Sequence, residues 1–415
     1  TTEIYTLSLH DALPISFGDV DAEGYEAARM RLSESAAFFA ASALDALAAE
    51  AHHRLCARIL SWPEGEFSEV AAALAHASEL ADRCGDLEAQ ASCRWFEARS
   101  ARYRGDFEAA ERSLLELKLL ASALGAGIVG VDADSLAAEL RLAAGRYAEA
   151  AEAAGRARSG YAKLGHPALS AEQAVVEASA LGAGGRREEA IALLRSELSS
   201  ARELGRPSLL LAYRLALELA ASGDEAAATA AMGDESARYE IGSDELVKLD
   251  FFSARLALAR GDEAEAERLL KERAAALKDS AGPEYIAAAD RYLAFIRAAR
   301  DPEAALAYAR GEADGRAGSS TEFHAAWWAA VAARALGSLG SAEAAAELST
   351  LARRFSASRP EAFYYPERAV FSRLPPGAAL TEASPGAPVG EAYVAALAEA
   401  IRRAAASAGE ARPSP

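Results

Sequence analysis

Lysine, cysteine, aromatic residues and long apolar runs are all scarce in this 415-residue sequence. No stretch of 18 apolar residues occurs, so no membrane-spanning helix and no membrane partner are expected. The three cysteines, Cys56, Cys84 and Cys93, have no Cys-x-x-Cys spacing, which argues against a zinc site or a disulfide framework. Reduced thiols of this kind are typical of the cytoplasm, so we predict a cytoplasmic protein without cofactor or metal.

Positive charge is also in short supply. The chain has 44 Lys and Arg residues against 62 Asp and Glu residues, and its net charge is −18. A general nucleic-acid-binding protein needs a basic footprint, so no nucleic-acid partner is expected. Nearly all of the basic residues are arginine, which together with abundant alanine and glycine is typical of GC-rich bacterial genomes.

Alanine, by contrast, is plentiful. Hydrophobic residues make up 52% of the chain and many of them are alanine, whereas aromatic residues make up only 7%. Alanine is the best helix former, but its small side chain fills a core poorly. The composition therefore predicts many closely packed helices rather than one large globular core.

The first 16 residues differ in composition from the rest of the chain. The segment TTEIYTLSLHDALPI (1–15) resembles the codon-by-codon translation of a sequencing-library adapter. It does not fit a secretory signal, because it has no positive region and its apolar stretch is interrupted by His10, Asp11 and Pro14. We interpret residues 1–16 as adapter-derived and outside the fold, and we expect the authentic N-terminus to be missing.

Two series of glycines divide the remaining chain into repeats of about 40 residues. The first series lies in motifs such as RGDFEAA (104–110) and AGRYAEA (144–150), at steps of 38–41 residues. The second series falls about midway between its members. Such interleaving predicts two helices of about 16–18 residues per repeat, each ended by a glycine. The first series is Gly24, Gly65, Gly105, Gly145, Gly185, Gly223, Gly261 and Gly340, and the second is Gly85, Gly125, Gly165, Gly205, Gly242 and Gly282.

A helical hairpin with the turn Gly-Asp-aromatic-x-x-Ala resembles the tetratricopeptide repeat. The resemblance covers roughly residues 22–356, with a period near 40 that is similar to the sensor regions of large bacterial regulators of the maltose-activator type. It implies small residues where the two helices of a pair cross closely, because larger side chains would force them apart. Those positions are Ala98, Ala138, Ala178, Ala216, Ala254 and Ala333 in the first helix, and Ala110, Ala150, Ala190, Ala228, Ala266, Ala305 and Ala345 in the second.

The resemblance implies an all-α fold, a right-handed α-solenoid of antiparallel helix pairs, over residues 17–356. Residues 357–390 contain six prolines, so an irregular segment is predicted there. Residues 391–409 predict one more helix, with Tyr393, Val394, Leu397 and Ile401 on one face. Residues 410–415 are expected to form a disordered tail.

Three features of the sequence imitate functional motifs. GAGIVG (125–130) has the glycine spacing of a dinucleotide-binding loop, but it lacks the strand that must precede one, so we interpret it as a turn between repeats. His52 and His53 are adjacent, so on a helix they point in different directions and cannot share a metal. Cys93 beside Arg94 could be an activated thiol, although a buried cysteine is favoured. We predict that the protein is not an enzyme.

In the tetratricopeptide family, the first helix of each pair lines a concave groove. The groove positions are assigned by counting back along each first helix from the turn glycine that follows it. The residues at these positions are mostly arginine and aromatic residues, which are enriched at binding hot spots. The alternative is that Trp95, Phe251 and Trp327 belong to the repeat core. The candidates for partner binding are Ser92, Trp95, Arg99, Arg102, Glu139, Tyr213, Lys248, Phe251, Arg255, Arg291, Arg297, Trp327 and Arg334.

Two functions remain open from the sequence. The first is a non-catalytic scaffold for protein–protein interaction, with an acidic or amphipathic peptide or a helix of a partner protein in the groove. The second is a ligand-sensing regulatory C-terminal module of a longer bacterial kinase, ATPase-type or transcriptional regulator, in which upstream effector domains belong to the same chain.

Overall fold

The structure, a computed structural model, describes most of the chain after residue 66. The described residues are 67–103, 106–125, 127–205, 208–236, 244–277, 283–316, 322–358, 365–375 and 391–410, with a few positions between 30 and 48. The segment 1–16 that was predicted to be adapter-derived, the adjacent residues His52 and His53, and the tail from residue 411 lie outside them.

Helices are the only regular secondary structure in these ranges. They are α1 (Phe67–Cys84), α2 (Leu87–Tyr103), α3 (Phe107–Ala123), α4 (Gly127–Ala143), α5 (Tyr147–Lys163), α6 (Pro167–Ala183), α7 (Arg187–Glu203), α8 (Leu209–Ala221), α9 (Glu225–Ser236), α10 (Asp244–Arg260), α11 (Glu263–Leu277), α12 (Pro283–Arg297), α13 (Pro302–Arg316), α14 (Glu322–Ser338), α15 (Ala342–Ser358), α16 (Tyr365–Ser372) and α17 (Glu391–Glu410). The first helices of the predicted pairs, α2, α4, α6, α8, α10, α12 and α14, are called the A helices below, and α3, α5, α7, α9, α11, α13 and α15 the B helices.

The helices belong to two compact units, residues 1–133 with 277–288 and residues 134–276 with 289–415. In the first unit α1 packs against α2, and α2 packs against α3. In the second unit each helix from α5 to α9 packs against the next one, and α14 packs between α13 and α15. Neighbours along the chain are thus neighbours in space, and the predicted all-α helical-repeat fold is confirmed.

The predicted glycines end the helices because they adopt a backbone conformation that other residues rarely reach. Gly145 has φ of 74°. In this conformation the N–H of Gly145 donates to the carbonyl oxygen of Leu142 at 3.0 Å. The N–H of Arg146 donates to the carbonyl oxygen of Arg141 at 2.8 Å, and together these are the two hydrogen bonds of a Schellman turn. All nine series members that the structure describes have positive φ: Gly85, Gly125, Gly145, Gly165, Gly185, Gly205, Gly223, Gly261 and Gly340. The other members, Gly24, Gly65, Gly105, Gly242 and Gly282, lie outside the described residues.

Aspartates that follow these turns cap the next helix. The carboxylate of Asp106 accepts a hydrogen bond of 3.0 Å from the N–H of Ala109, which satisfies one of the free N–H groups at the start of α3. Pro302 begins α13, where its missing N–H costs nothing. The same capping bond is made by Asp86, Asp224, Asp262 and Asp301.

The small residues at the helix crossings are buried without exception. Each alanine of the two predicted sets is at most 3% exposed. An alanine at these points lets the backbones of two helices approach closely, and a larger side chain would separate them. The register of the 40-residue repeat was therefore predicted correctly from the sequence.

Ala190 offers a direct test of this packing, because it is 0% exposed and lies in the first turns of α7. We expect Ala190→Leu to lower the free energy of unfolding by about 1–3 kcal/mol through overpacking. Ala192→Leu is the matched control, because Ala192 is an exposed position of the same helix. Urea unfolding followed by circular dichroism measures both. Equal stability of the two variants would contradict the helix crossing at Ala190.

The C-terminal part of the chain differs from the prediction in one respect. The helix predicted over 391–409 is α17, and its residues Leu397 and Ile401 are fully buried. Residues 357–390, however, are not irregular throughout, because Tyr365–Ser372 form the short helix α16. Proline is tolerated there because Pro366 lies in the first turn of α16, where a backbone N–H is not needed.

Candidate functional site

Three of the predicted groove arginines stack on aromatic rings. The guanidinium of Arg99 lies 4.6 Å from the ring centroid of Trp95 in the preceding turn of α2, where both side chains are half-buried. In the second unit, Arg255 of α10 lies 5.6 Å from the Tyr213 ring of α8. A guanidinium held over an aromatic face is attracted by the ring quadrupole, so these pairs are ordered before any partner arrives.

Arg334 makes the third pair and also an ion pair. Its guanidinium lies 4.7 Å from the Phe295 ring and 2.7 Å from a carboxylate oxygen of Glu263. It lines a pocket of about 650 Å³ that is bounded on one side by Arg373. The other lining residues are Gly261, Gly337, Ser338, Ala342, Ala345, Leu374 and Pro375.

Trp327 was predicted at a groove position, but it belongs to a buried core. Its side chain is 0% exposed, and its ring centroid lies 4.9 Å from that of Tyr292, 5.6 Å from that of Phe295 and 5.0 Å from that of Phe371. The first two rings belong to α12, but Phe371 belongs to α16. The alternative interpretation as a core residue is therefore correct for Trp327, because a later segment of the chain covers it.

The remaining candidates differ in accessibility. Arg255 and Arg291 are only 8% and 7% exposed, which makes them parts of the interior rather than open anchors. Arg297 is exposed at the end of α12, with its Nε 3.9 Å from a carboxylate oxygen of Glu267. Ser92, Arg102, Glu139 and Tyr213 are half-buried. Lys248 and Phe251 lie on α10, but their side chains are outside the described part of the chain.

A pair of carboxylates on the A helices of the second unit was not recognised from the sequence. Glu172 of α6 has a raised pKa, first because the surrounding chain desolvates its carboxylate and then because Glu139 of α4 repels its negative charge. The two helices are joined beside this pair by a buried hydrogen bond of 2.8 Å from Gln173 to Ser135. Counting 13 residues back from Gly185 would have found Glu172, as the same count from Gly105 found Ser92.

The Glu139–Glu172 repulsion predicts a specific pH dependence. A raised pKa means that the folded state disfavours the ionised form of Glu172, so Glu172→Gln should raise the free energy of unfolding at pH 7 by about 0.2–0.5 kcal/mol. The gain should shrink as the pH falls through the raised pKa and disappear near the ordinary value of about 4.3. Urea unfolding at pH 7 and pH 4 measures it, with Glu188→Gln on exposed Glu188 of α7 as control. A gain that is equal at both pH values would contradict the coupling.

The short helix α16 covers the A helices near the C-terminal end of the array. It packs against the A helices α8 and α10 and against the B helix α15, and its Phe371 contacts Trp327 of α14. Val370, Phe371 and Leu374 are at most 4% exposed, so they form its apolar anchor. One residue of the predicted partner-binding set, Trp327, is therefore covered here by a helix of the same chain.

Two arginines hold α16 through backbone carbonyls. Arg353 of α15 donates from Nε to the carbonyl oxygen of Phe371 at 3.0 Å and also donates to that of Leu374. Arg373, just after α16, donates to the carbonyl oxygens of Ala259 at 2.5 Å and of Leu258 at the end of α10. Each arginine thus places positive charge at a helix C-terminus, where free carbonyls and the helix dipole favour it.

The sequence features that resembled functional motifs have structural explanations. Cys93 is buried, and burial raises its thiol pKa to about 11 despite the neighbouring Arg94, so the thiol is not an activated nucleophile. Gly127–Gly130 are helical and Gly125 has φ of 82°, as expected of a turn between repeats. Within the described ranges no group of three or more His, Cys, Asp or Glu side chains could hold a metal ion, and none of the helices is long and apolar enough to cross a membrane.

Comparison with known proteins adds no family to this picture. No protein-family model matches the chain, and no curated protein matches it significantly. The helical-repeat fold therefore stands on the structure itself, and the resemblance to tetratricopeptide repeats stays a prediction.

Proposed function

We propose that this protein is a non-catalytic, tetratricopeptide-like scaffold whose A helices bind a helix of a partner protein. The observation that carries the proposal is the position of α16, which packs against α8 and α10 and buries Phe371 against Trp327. A surface that holds a short helix of its own chain by an aromatic anchor and helix-end hydrogen bonds has the chemistry for holding a helix of another chain.

The charge of the accessible positions favours a basic partner helix over the acidic one that the sequence suggested. Arg255 and Arg291 are buried, and Arg334 is already paired with Glu263, so these arginines offer little free positive charge. The carboxylates of Glu139 and Glu172 repel each other, so negative charge is concentrated at this point of the A helices. The net charge of −18 would also attract a basic segment over a distance, more strongly at low salt.

The test is a pull-down from a lysate of the source cells with the full chain and two double variants. Glu139→Gln with Glu172→Gln removes the carboxylate pair, and Glu152→Gln with Glu188→Gln removes two exposed carboxylates of B helices as the matched control. We expect wild type and control to recover the same partners. The first double variant should lose them by about 30-fold, which corresponds to a hot-spot loss of about 2 kcal/mol. Equal recovery by all three proteins would contradict binding of a basic helix at the carboxylate pair of α4 and α6.

The pocket at Arg334 favours ligand sensing as a second candidate function. Its volume of about 650 Å³ lies within the range of small-molecule sites, about 300–1,000 Å³. Arg334 and Arg373 would favour an anionic ligand, since Glu263 neutralises only one of them. Melting curves of wild type and Arg334→Ala with a panel of small organic anions distinguish the two functions, because a ligand of this pocket should raise the melting temperature of wild type alone.

A further inference from the structure

The contacts of α16 define what kind of helix the covered surface recognises. On the side of α16, the interface includes the apolar residue Val370 and the aromatic residue Phe371. Arg373 and the apolar residue Leu374 follow them in the chain and also take part. Ser372 between them is exposed, and its hydroxyl only bonds back to the carbonyl oxygen of Ala369. The recognised pattern is therefore apolar-aromatic-x-Arg-apolar.

Part of this recognition does not depend on the side chains of the bound helix. Arg353 donates to three main-chain carbonyl oxygens of this segment, those of Phe371, Ser372 and Leu374. Any short helix that ends at this point presents such carbonyls, because the last turn of a helix leaves them without intrahelical donors. Arg353 is thus a receptor for a helix C-terminus, and the Phe371 and Arg373 positions supply the sequence specificity.

The bound helix also completes the array. Arg373 donates to the carbonyl oxygens of Leu258 and Ala259, which lie in the last turn of α10. Leu258 is three residues before Gly261, and Trp327 is 13 residues before Gly340, so both are groove positions by the count from the turn glycines. The segment 365–375 therefore contacts the A helices at Trp327 and at the end of α10, and it does not form one more repeat.

Helix α16 has eight residues, and an isolated helix of that length is unstable in water, so its order depends on the contacts described above.

From these contacts we propose that α16 is a resident occupant of a partner site, and that the partner is a protein helix with the pattern apolar-aromatic-x-Arg-apolar. The partner helix replaces α16, places its aromatic side chain against Trp327 and presents its C-terminal carbonyls to Arg353. The inference rests on the proposed scaffold function and names the recognition site and the element that controls access to it.

A labelled peptide of residues 363–377 tests the site in trans by fluorescence anisotropy. The protein is the full chain, either wild type or with Phe371→Ala and Arg373→Ala to weaken docking of its own α16. A tethered segment competes at millimolar effective concentration, so the peptide should bind the double variant at least about tenfold more tightly than wild type. The same peptide with Phe371→Ala should bind at least about tenfold more weakly. Binding to neither protein, or equally to both, would overturn the proposal.

Hydrogen exchange of wild type keeps the proposal testable if the double variant does not fold, which circular dichroism would reveal. Amides of 370–374 should exchange faster than those of α14, since α16 opens without global unfolding. Equal protection would show that α16 is an inseparable part of the core and would refute the idea. A dimer of wild type that is lost with Phe371→Ala would assign the site to α16 of a second copy, which also contradicts a separate partner.

The pull-down and the peptide-binding experiment test different surfaces, so one can give a negative result without the other. The pull-down depends on Glu139 and Glu172 of α4 and α6, whereas the peptide experiment depends on the surface under α16. Recovery of partners through the carboxylate pair without peptide binding would leave the scaffold function standing and remove only the role of α16.

Discussion

The Trp327→Ala variant is expected to lose about 3–5 kcal/mol of folding free energy. Trp327 is 0% exposed and contacts three aromatic rings in an edge-to-face arrangement, so alanine would leave a large cavity among Tyr292, Phe295 and Phe371. In α14 every residue from Ala325 to Ala333 is at most 1% exposed, so little space exists for the surroundings to relax into the cavity.

Trp95→Ala is the control that separates a core tryptophan from a surface tryptophan. Trp95 occupies an A-helix groove position too, but it is half-buried and stacks under Arg99. Its replacement should cost clearly less than that of Trp327, by at least about 1 kcal/mol. Urea unfolding of both variants gives the comparison. A small loss for Trp327→Ala would mean that its enclosure by α12 and α16 does not contribute to stability.

The Glu218→Ala variant should lose a similar amount, about 3–5 kcal/mol. Glu218 of α8 is 5% exposed, and its carboxylate is paired with Arg214 one turn earlier and lies 3.2 Å from Nε of Arg187 on α7. Gly182 of α6 makes room for this carboxylate, since a Cβ there would lie 2.6 Å from Oε1 of Glu218. Removing Glu218 would leave the charge of Arg214, itself 4% exposed, without its anionic partner in the interior.

Glu189→Ala is the matched control for a charged pair at the surface. Glu189 pairs with Arg186 at 2.6 Å, but both side chains are more than half exposed, so water and salt screen the attraction. We expect a clearly smaller loss of stability than for Glu218→Ala. Thermal or urea unfolding of the two variants at pH 7 measures the difference. Equal losses of free energy would show that burying the ion pair of Glu218 does not increase its contribution to stability.

The repeat architecture could be predicted from the sequence because its signals are local. Positive φ at Gly145 or Gly185 is a property of one residue and its turn, and an N-cap such as Asp106 acts within three residues. The alanines at the helix crossings repeat with the same period as the turns, so their register follows once the turns are placed. The boundaries of α17 followed from helical periodicity alone.

The candidate site could be predicted only in part, because arginine and aromatic side chains occur both on protein surfaces and in protein interiors. The count from the turn glycines assigned Trp327 and Arg255 to groove positions, but it could not show that both are buried. Glu172 was missed because single carboxylates are common on helix surfaces, and its importance depends on Glu139, 33 residues earlier in the chain.

The sequence by itself therefore determined the glycines at which nine of the described helices end, the small residues at which the helices approach, and the all-α fold, because these follow from backbone conformation and a 40-residue period. Tertiary structure alone decided that α16 lies across the A helices, where Arg373 bonds to carbonyls 114 and 115 residues away. It also decided that Glu218 is buried between two arginines. Contacts of this kind join segments that share no period and no local motif, so they depend on where the packed helices bring those segments together in space.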